Sequence, residues 1–409
     1  MKTNRHIANR GTGNRMGWLL SILLLCLTAC SSADEEQPRT QVPAKAPTKL
    51  YIYVYAPEAP EVTRAASYDG DVDAVGNEAA VYSMQIWVFT HDTHQLIGYY
   101  APAETPGLST AHPYELLQLT IDEDYAKTAA ASREHVDVYV LGNVTPETCN
   151  VTLDENTTQT ALEAAVMAKT TRDPFGVSSP VEAVPENVGL PMSGVLRDQP
   201  VTGDAPVLRL DDGGSGIATV VLRRMVSKLR FAFSSQTGSE PLRINSIKLG
   251  SEMIPMAEYL FMSDAEPYDR HTCHIRTADG YDASTPELLA EAISEVPTCE
   301  APVVYAWGNE ELQPQLYENR IEKAVRDGYL THRFFYLRES DKKLQGTIKY
   351  QIGDGEEQTA TFRMVDNGGF SRNHVWTVYA YQAQARLHVV VANVTPWKVI
   401  EKDYDFYNW

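Results

Sequence analysis

The stretch that decides the fold is KLYIYVYAPEAPEVTRAA, residues 49–66. Leu50, Ile52 and Val54 alternate with three tyrosines, which predicts a strand with one apolar and one aromatic face. Two prolines then end the strand, because proline has no N–H to donate to a neighbouring strand. The extended tether that follows carries one basic residue, Arg64. The residues of this stretch therefore predict a strand followed by an extended tether with one arginine.

A secretory leader precedes this stretch. Three arginines are followed by an apolar run of about a dozen residues, too short to cross a bilayer of roughly 30 Å as a helix. The run ends in Leu27-Thr-Ala-Cys30, which resembles a bacterial lipobox, in which the cysteine is acylated, for example with palmitate, and the signal is removed just before it. Ordinary cleavage near Ala29 is the alternative. We expect residues 1–29 to be a lipoprotein signal peptide and Cys30 to be the lipidation site.

Residues 30–48 have the composition of a flexible tether. Ser31 to Glu36 include no apolar residue larger than alanine, and residues 37–48 contain three prolines. Such segments cannot bury enough apolar surface to fold. The lipid on Cys30 would therefore hold the folded part at a membrane through a loose connection.

The chain is strongly acidic, with a formal net charge of -19 at pH 7. Removing residues 1–29 takes away four basic residues and no acidic residue, so the mature charge is -23. This charge repels a phosphate backbone, so we expect no nucleic acid partner. A length of 409 residues with 43% hydrophobic and 22% charged residues is typical of a folded protein with two average-sized domains.

Short alternating segments dominate the folded part and predict a mainly β protein. One helix is predicted at 157–169 behind a threonine cap, and 190–194 is a turn-bounded segment. The alternation slips between Val221 and Ser227, which predicts an interrupted strand over 217–233. The predicted strands are 81–90, 135–144, 242–249, 334–337, the hairpin 345–352 with 359–365, 376–381 and 387–394.

These elements are most simply arranged as two β-sandwich domains with a few short helices. We place the first domain at 49–206, with its first strand and tether at 49–64, and the second at 207–409. The glycine-rich loop Asp211–Gly216 marks the composition change near the boundary.

The sequence lacks the motifs of common enzymes. It has no Gly-x-Ser-x-Gly elbow, no His-Glu-x-x-His helix, no phosphate-binding glycine loop and no Cys-x-x-Cys pair. His271, Cys273 and His274 form one group of metal-capable residues, but the second pair that a zinc site needs is missing. Asp69, Asp71 and Asp73 lack the glycine and glutamate of a calcium loop. We therefore expect no enzyme activity, no cofactor and no metal.

Cysteines and tryptophans leave alternatives open. Behind Cys30 the chain has only Cys149, Cys273 and Cys299, which allow either one Cys273–Cys299 bridge or three buried thiols. Trp87, Trp307, Trp376 and Trp397 could line a sugar platform, but in β-sandwiches such residues more often belong to the core or an interface.

The order of these motifs resembles the fimbrillin superfamily, the lipoprotein pilins of Bacteroidia that build type V pili. A lipobox precedes a strand ending in Arg64-Ala65, and a strand at 136–143 precedes a helix. The segment Arg223–Leu229 has the pattern Arg-Arg-x-Val-x-Lys-Leu. Near the end, SRNHVW at 371–376 is followed by LHVVVANVTPW at 387–397 and a terminal Trp409.

The resemblance implies two tandem transthyretin-like domains and assembly by donor-strand exchange. An arginine-specific protease would cut between Arg64 and Ala65 at the outer membrane, and other fimbrial subunits would be the partners in the cell-surface fimbrium, which would support cell adhesion. The expelled strand would carry Leu50, Ile52 and Val54. The donor strand, about 387–409, would present Leu387, Val389, Val391, Trp397, Phe406 and Trp409.

Other interpretations of the same motifs remain. Arg39 also lies in the tether, but a cut there would remove the lipid and leave the strand in place. The strand at 50–55 could stay as a permanent edge strand in a membrane-retained anchor subunit. The chain could instead be a tip adhesin that binds a host glycan or protein, and residues 387–409 could simply complete their own domain.

Overall fold

A computed structural model of the chain describes residues 47–55, 76–102, 108, 114–132, 134–146, 152–168, 184, 187–213, 216–261, 277–285, 287–300, 324, 327–363 and 369–396. Within these residues the protein is mainly β, as the alternating pattern predicts, with two α-helices and one short 3-10 helix at Gly76–Ala79. The helices are α1 (Glu123–Ser132) and α2 (Gln159–Ala164).

All strands up to residue 224 except β6 belong to one sheet. They are β1 (Lys49–Tyr55), β2 (Met84–Thr90), β3 (Leu96–Tyr100), β4 (Tyr114–Thr120), β5 (His135–Gly142), β6 (Val166–Ala168), β7 (Met192–Asp204), β8 (Val207–Leu210), β9 (Thr219–Val221) and β10 (Arg223–Arg224).

The later strands form the remaining sheets. They are β11 (Val226–Gln236), β12 (Leu242–Leu249), β13 (Pro255–Tyr259), β14 (Thr277–Tyr281), β15 (Thr298–Cys299), β16 (Thr331–Arg338), β17 (Gln345–Ile352), β18 (Gln358–Arg363), β19 (His374–Ala383) and β20 (Arg386–Pro396).

A nine-stranded sheet with the order β3-β2-β5-β7-β8-β1-β4 encloses the first core, with β10 beside β7 and β9 beside β1. Its inward aliphatic side chains come from β1, β2, β3, β4, β5, β7, β8 and β9, so the sheet folds over on itself. An isolated bridge between Gly98 and Ile121 joins β3 to the residue after β4. This bridge brings the two ends of the strand order together.

The second core lies between two sheets packed face to face, which is a β-sandwich. One sheet has the order β15-β11-β19-β20 with β16 beside β11, and the other has the order β12-β17-β18. Phe231, Ile247, Phe335, Ile348 and Val378 from the two sheets belong to one buried cluster. A second three-stranded sheet, β14-β13-β6, pairs a strand from before residue 200 with strands from after residue 250.

The predicted strands and the slip in the middle of the chain are confirmed within the described residues. The interrupted strand over 217–233 is β9, β10 and β11, with breaks at Leu222 and Met225. The hairpin is confirmed too, because β17 and β18 pair antiparallel with Gln345 opposite Arg363. Its turn includes Gly353 at a φ of 54°, a region that favours glycine.

Two segments differ from the prediction. The helix at 157–169 is too long, because it ends at Ala164 and residues 166–168 form β6, whose pairing with β13 overrides the helical pattern. Its cap is Thr158, whose hydroxyl accepts from the Ala161 N–H. In the segment predicted as turn-bounded at 190–194, residues 192–194 are instead the start of the 13-residue strand β7.

The division of the chain at 206 and 207 stays a prediction. By sheet membership, β8, β9 and β10 pair with strands of the nine-stranded sheet. A division drawn by sheet membership therefore places residues 207–224 with the first domain.

Candidate functional site

The first strand has the two faces that its sequence predicts. Leu50, Ile52 and Val54 are fully buried in the first core, and Tyr51 and Tyr53 are half-buried on the opposite face. Burying one such aliphatic side chain stabilises a fold by about 1.5–3 kcal/mol. The three residues proposed for the expelled strand therefore contribute substantially to the core.

The strand β1 has neighbours along both edges. It pairs antiparallel with β4 over its whole length, from Lys49 opposite Thr120 to Tyr55 opposite Tyr114. On the other edge it runs parallel to β8 and then to β9. The alternative of a permanent edge strand is therefore wrong in its geometry, because β1 is an interior strand.

Removing β1 would open the sheet at its interior. The N–H and C=O groups of β4 on one side, and of β8 and β9 on the other, would lose their partners. The space left by three aliphatic side chains would form an apolar groove. One extended segment with alternating apolar residues would satisfy both requirements.

The residues predicted for lipidation and cleavage lie outside the described residues. These are Cys30, Arg64 and Ala65, together with the alternative site Arg39. The described residues stop at Tyr55, the end of β1, and begin again at Gly76. The segment that contains Arg64 therefore joins an interior strand to the 3-10 helix.

A buried polar cluster holds the chain just after this segment. Glu78 is fully buried, and its Oε1 lies 2.7 Å from Lys228 Nζ and accepts a hydrogen bond from the Tyr336 hydroxyl. Arg224 Nε donates to the Glu78 carbonyl at 2.9 Å. Burial lowers the pKa of Arg224 to about 10, opposed by Glu78 and Tyr336, so the guanidinium stays charged at pH 7.

Sequence reasoning missed Glu78. It singled out Arg223–Leu229 only as part of a resemblance, although a lysine at Lys228 inside an apolar strand signals a buried acidic partner. The partner itself could not be identified, because 150 positions separate the two residues.

The C-terminal strand belongs to its own sheet. β20 pairs antiparallel with β19, from Arg386 opposite Ala383 to Pro396 opposite His374, and it ends the strand order. Leu387 is buried and Val389 packs against the second core, while Val391 lies in the paired part of β20. Trp397, Phe406 and Trp409 lie outside the described residues.

A second polar network lies at one end of the first sheet. His91 Nδ1 is 2.8 Å from Asp137 Oδ1 and His135 Nδ1 is 2.5 Å from Asp198 Oδ1. The hydrogen bond to Asp137 raises the pKa of His91. Burial tends to raise the pKa of Asp137, but hydrogen bonds from the Asp198 N–H, His91 and Gln159 hold it below its usual value.

A third cluster surrounds Arg372 in the loop before β19. Its guanidinium lies 2.5 Å from Glu339 Oε1 and donates to the Tyr259 carbonyl at 2.7 Å. Burial raises the pKa of the neighbouring Glu258 to about 8, although Arg372 opposes this shift. These groups bind one another and join β13, the end of β16 and the loop before β19.

Only some of the tryptophans, cysteines and aspartates considered from the sequence lie among the described residues. Trp87 and Trp376 are buried, which fits the core interpretation and not a sugar platform. Cys299 is a buried thiol, and burial raises its pKa. Cys149, Cys273, Trp307 and the three aspartates at 69–73 lie outside the described ranges.

The described residues contain neither a metal-binding cluster nor a membrane-spanning helix. No group of three or more histidine, cysteine or acidic residues in them is arranged to hold a metal ion. Their helices include none that is long and apolar enough to cross a membrane.

Comparison with known proteins finds solved structures alone. No family profile and no curated protein matches the chain. A Parabacteroides distasonis protein provisionally described as a cell adhesion protein is 15% identical, with a TM-score of 0.47 over 87% of this chain and 98% of that one. The tip fimbrial protein Mfa3 from Porphyromonas gingivalis, with a C-terminal truncation, is 12% identical, with a TM-score of 0.41 over 85% of this chain and 100% of that one.

A further structure is a fimbrial assembly protein from Parabacteroides distasonis. It is 13% identical, with a TM-score of 0.42, and the match covers 85% of this chain and 98% of that one. These three solved proteins are described as fimbrial or cell adhesion proteins.

Proposed function

We propose that this chain is a structural subunit of a cell-surface fimbrium, exported as a lipoprotein through Cys30 and polymerised by donor-strand exchange. The observation that carries the proposal is the position of β1. This strand lies in the interior of a sheet, it contributes three fully buried aliphatic side chains, and the segment that follows it contains Arg64. A single backbone cut in that segment would end the covalent connection between β1 and the rest of the fold.

Cleavage between Arg64 and Ala65 by an arginine-specific protease is the first step of this proposal. Before the cut, the lipid on Cys30 keeps the subunit at the outer membrane. After it, β1 is no longer covalently attached to the fold and can leave with the lipid. A strand from a neighbouring subunit then occupies the groove and pairs with β4 on one side and with β8 and β9 on the other.

The donor comes from the C-terminal segment 387–409 of a neighbouring subunit, in its part beyond Pro396. Leu387, Val389 and Val391 lie in β20, whose pairing with β19 extends to Pro396, so this part stays with its own sheet. The part available to a neighbour is therefore the length beyond Pro396, which includes Trp397, Phe406 and Trp409. Large side chains of this kind suit apolar pockets along a groove.

A membrane-retained anchor is the second candidate. The two-sided pairing of β1 favours it, because an interior strand stays in place indefinitely when the tether is intact. A tip adhesin that binds a host glycan or protein is a further alternative. The burial of Trp87 and Trp376 removes two of the four tryptophans that a sugar platform would use.

The N-terminus of the cell-surface protein tests the proposal. A polymerised subunit would begin at Ala65, whereas a retained anchor would begin at acylated Cys30. Peptide mass spectrometry of purified surface fibres distinguishes the two, and a fibre built from chains that start at Cys30 would overturn the proposed processing.

A further inference from the structure

Residues 76–83, which we call the seat, form the described segment that follows the cleavable tether. The side chain of Glu78 is held from the second half of the chain by Lys228 on β11 and Tyr336 on β16. Its backbone carbonyl is held by Arg224 on β10. The Lys228 ammonium also lies 4.5 Å from the centre of the Phe334 ring. Three strands outside the seat therefore fix one acidic residue in it.

Asn143, just after β5, holds the other end of the seat. Its side-chain Nδ2 donates to the Ala80 carbonyl at 2.8 Å, and its Oδ1 accepts from the Tyr82 N–H at 2.7 Å. Its backbone N–H donates to the Ser83 carbonyl at 3.0 Å. Asn143 has a φ of 58°, a conformation that asparagine tolerates better than most residues.

The seat and β1 are held by different elements. The ladder partners of β1 are β4, β8 and β9. The polar partners of the seat lie on β10, β11 and β16 and at Asn143. The two share apolar packing, since Val81 lies in the same core cluster as Leu50, Ile52 and Val54.

We propose that the seat is a fixed anchor that keeps the chain from Gly76 onward folded while β1 is exchanged, so that loss of the strand does not spread into the rest of the fold. The proposal rests on the proposed function for the reason that β1 leaves. The anchor itself is a property of the uncut protein and can be measured there. Glu78 acts in it as a positioning residue, through Lys228 and Tyr336.

Hydrogen exchange of the uncut protein, followed by mass spectrometry, is the first experiment. We expect Glu78→Gln to raise exchange in peptides covering 76–83 by about tenfold or more, the size expected from losing a charge-assisted hydrogen bond. Exchange in 49–55 should rise less than exchange in 76–83. Glu115→Gln, the same substitution on β4, should change neither region.

Two results of that experiment would overturn the anchor. One is unchanged exchange at 76–83 in Glu78→Gln. The other is an equal rise at 49–55, which would mean that the seat and β1 open together. If Glu78→Gln does not fold, Tyr336→Phe removes a single hydroxyl and should raise exchange at 76–83 severalfold with the same locality.

The second experiment repeats the measurement after digestion with an arginine-specific protease. In the wild-type protein cut at Arg64, the amides of the seat should stay protected from exchange when β1 is displaced. In Glu78→Gln cut at the same site, exchange of these amides should be about tenfold faster. Loss of seat protection in the cut wild type would overturn the anchor. If the folded protein is not cut at Arg64, the proposed processing fails, while the result on the uncut protein still decides the anchor.

Discussion

Lys228 Nζ lies 2.7 Å from Glu78 Oε1 inside the protein, although the two residues are 150 positions apart. Both side chains are excluded from water, which is costly for each charge alone. The pair is therefore stable only while both partners are present. This dependence connects the segment that follows the tether with Arg64 to the strand that begins the second core.

Removing one partner of this pair should lower the free energy of unfolding far more than replacing both partners with apolar residues. We expect Lys228→Met alone to lower the free energy of unfolding by about 3–5 kcal/mol, because Glu78 would be left buried and unpaired. Adding Glu78→Leu should recover much of the loss. Urea unfolding of the three proteins measures both effects.

The exposed pair of Lys349 and Glu357, 2.9 Å apart, provides a matched control. Lys349→Met should leave stability nearly unchanged, since exposed ion pairs contribute little. Equal losses from Lys228→Met and Lys349→Met would contradict the role assigned to burial.

Ile52→Ala should test the contribution of β1 to the first core. The residue is fully buried in an interior strand, so truncation should cost about 2–5 kcal/mol of unfolding free energy in the uncut protein. Thr219→Ala, on the neighbouring strand β9 with a half-buried side chain, should cost less. After β1 has been replaced in a polymer, Ile52→Ala should have no effect on subunit stability, whereas a persistent loss would show that the strand remains in place.

The alternation of Leu50, Ile52 and Val54 was enough to predict the buried face of β1, because a strand places every second side chain on one side. Its position between β4 and two parallel segments could not be predicted, because sequence alternation does not identify which distant strands pair. The helix α1 was missed although Asp122 caps it, with Oδ1 accepting from the Asp124 and Tyr125 N–H groups. The seat was missed for the same reason as the pairing, since its contacts come from residues far along the chain.

Arg64→Ala should abolish processing and polymer formation. The protease would lose its site behind β1, so we expect a full-length lipidated precursor that stays at the outer membrane. Arg39→Ala is the matched control, because Arg39 lies ahead of β1 and its loss should leave fibres unchanged. Immunoblots and electron microscopy of cells check both variants, and normal fibres from Arg64→Ala would remove the processing step.

The pair of His91 and Asp137 should make stability depend on pH. The pKa of His91 is raised, so its contribution is complete below its ordinary value of about 6.5 and is lost as the pH rises through the folded-state pKa. The pKa of Asp137 is lowered, so its contribution is complete above about 4 and is lost as the pH falls through the folded-state pKa. The stabilisation by the pair is therefore greatest between about pH 4 and 6.5.

Removing His91 should make the stability of the protein depend less on pH above 6.5. Asp137, Asp198 and Asp92 all favour the charged histidine, so His91→Asn should lower stability most at pH 5–6 and least near pH 8. His388→Asn, which changes an exposed histidine on β20, should not alter the shape of the profile. Urea unfolding at a series of pH values makes the comparison, and parallel profiles for wild type and His91→Asn would contradict the prediction.

Deleting residues 398–409 should separate folding from assembly. Leu387 and Val389 contact the second core from β20, which this deletion leaves intact, so the truncated protein should unfold at nearly the same urea concentration as the full chain. It should still accept a strand from a neighbour, since the groove left by β1 lies in the nine-stranded sheet. It should fail to donate a strand itself, so that it ends chains when mixed with wild-type subunits. Shorter fibres in proportion to the added mutant would support this asymmetry, and undiminished fibre length would show that the donor lies elsewhere.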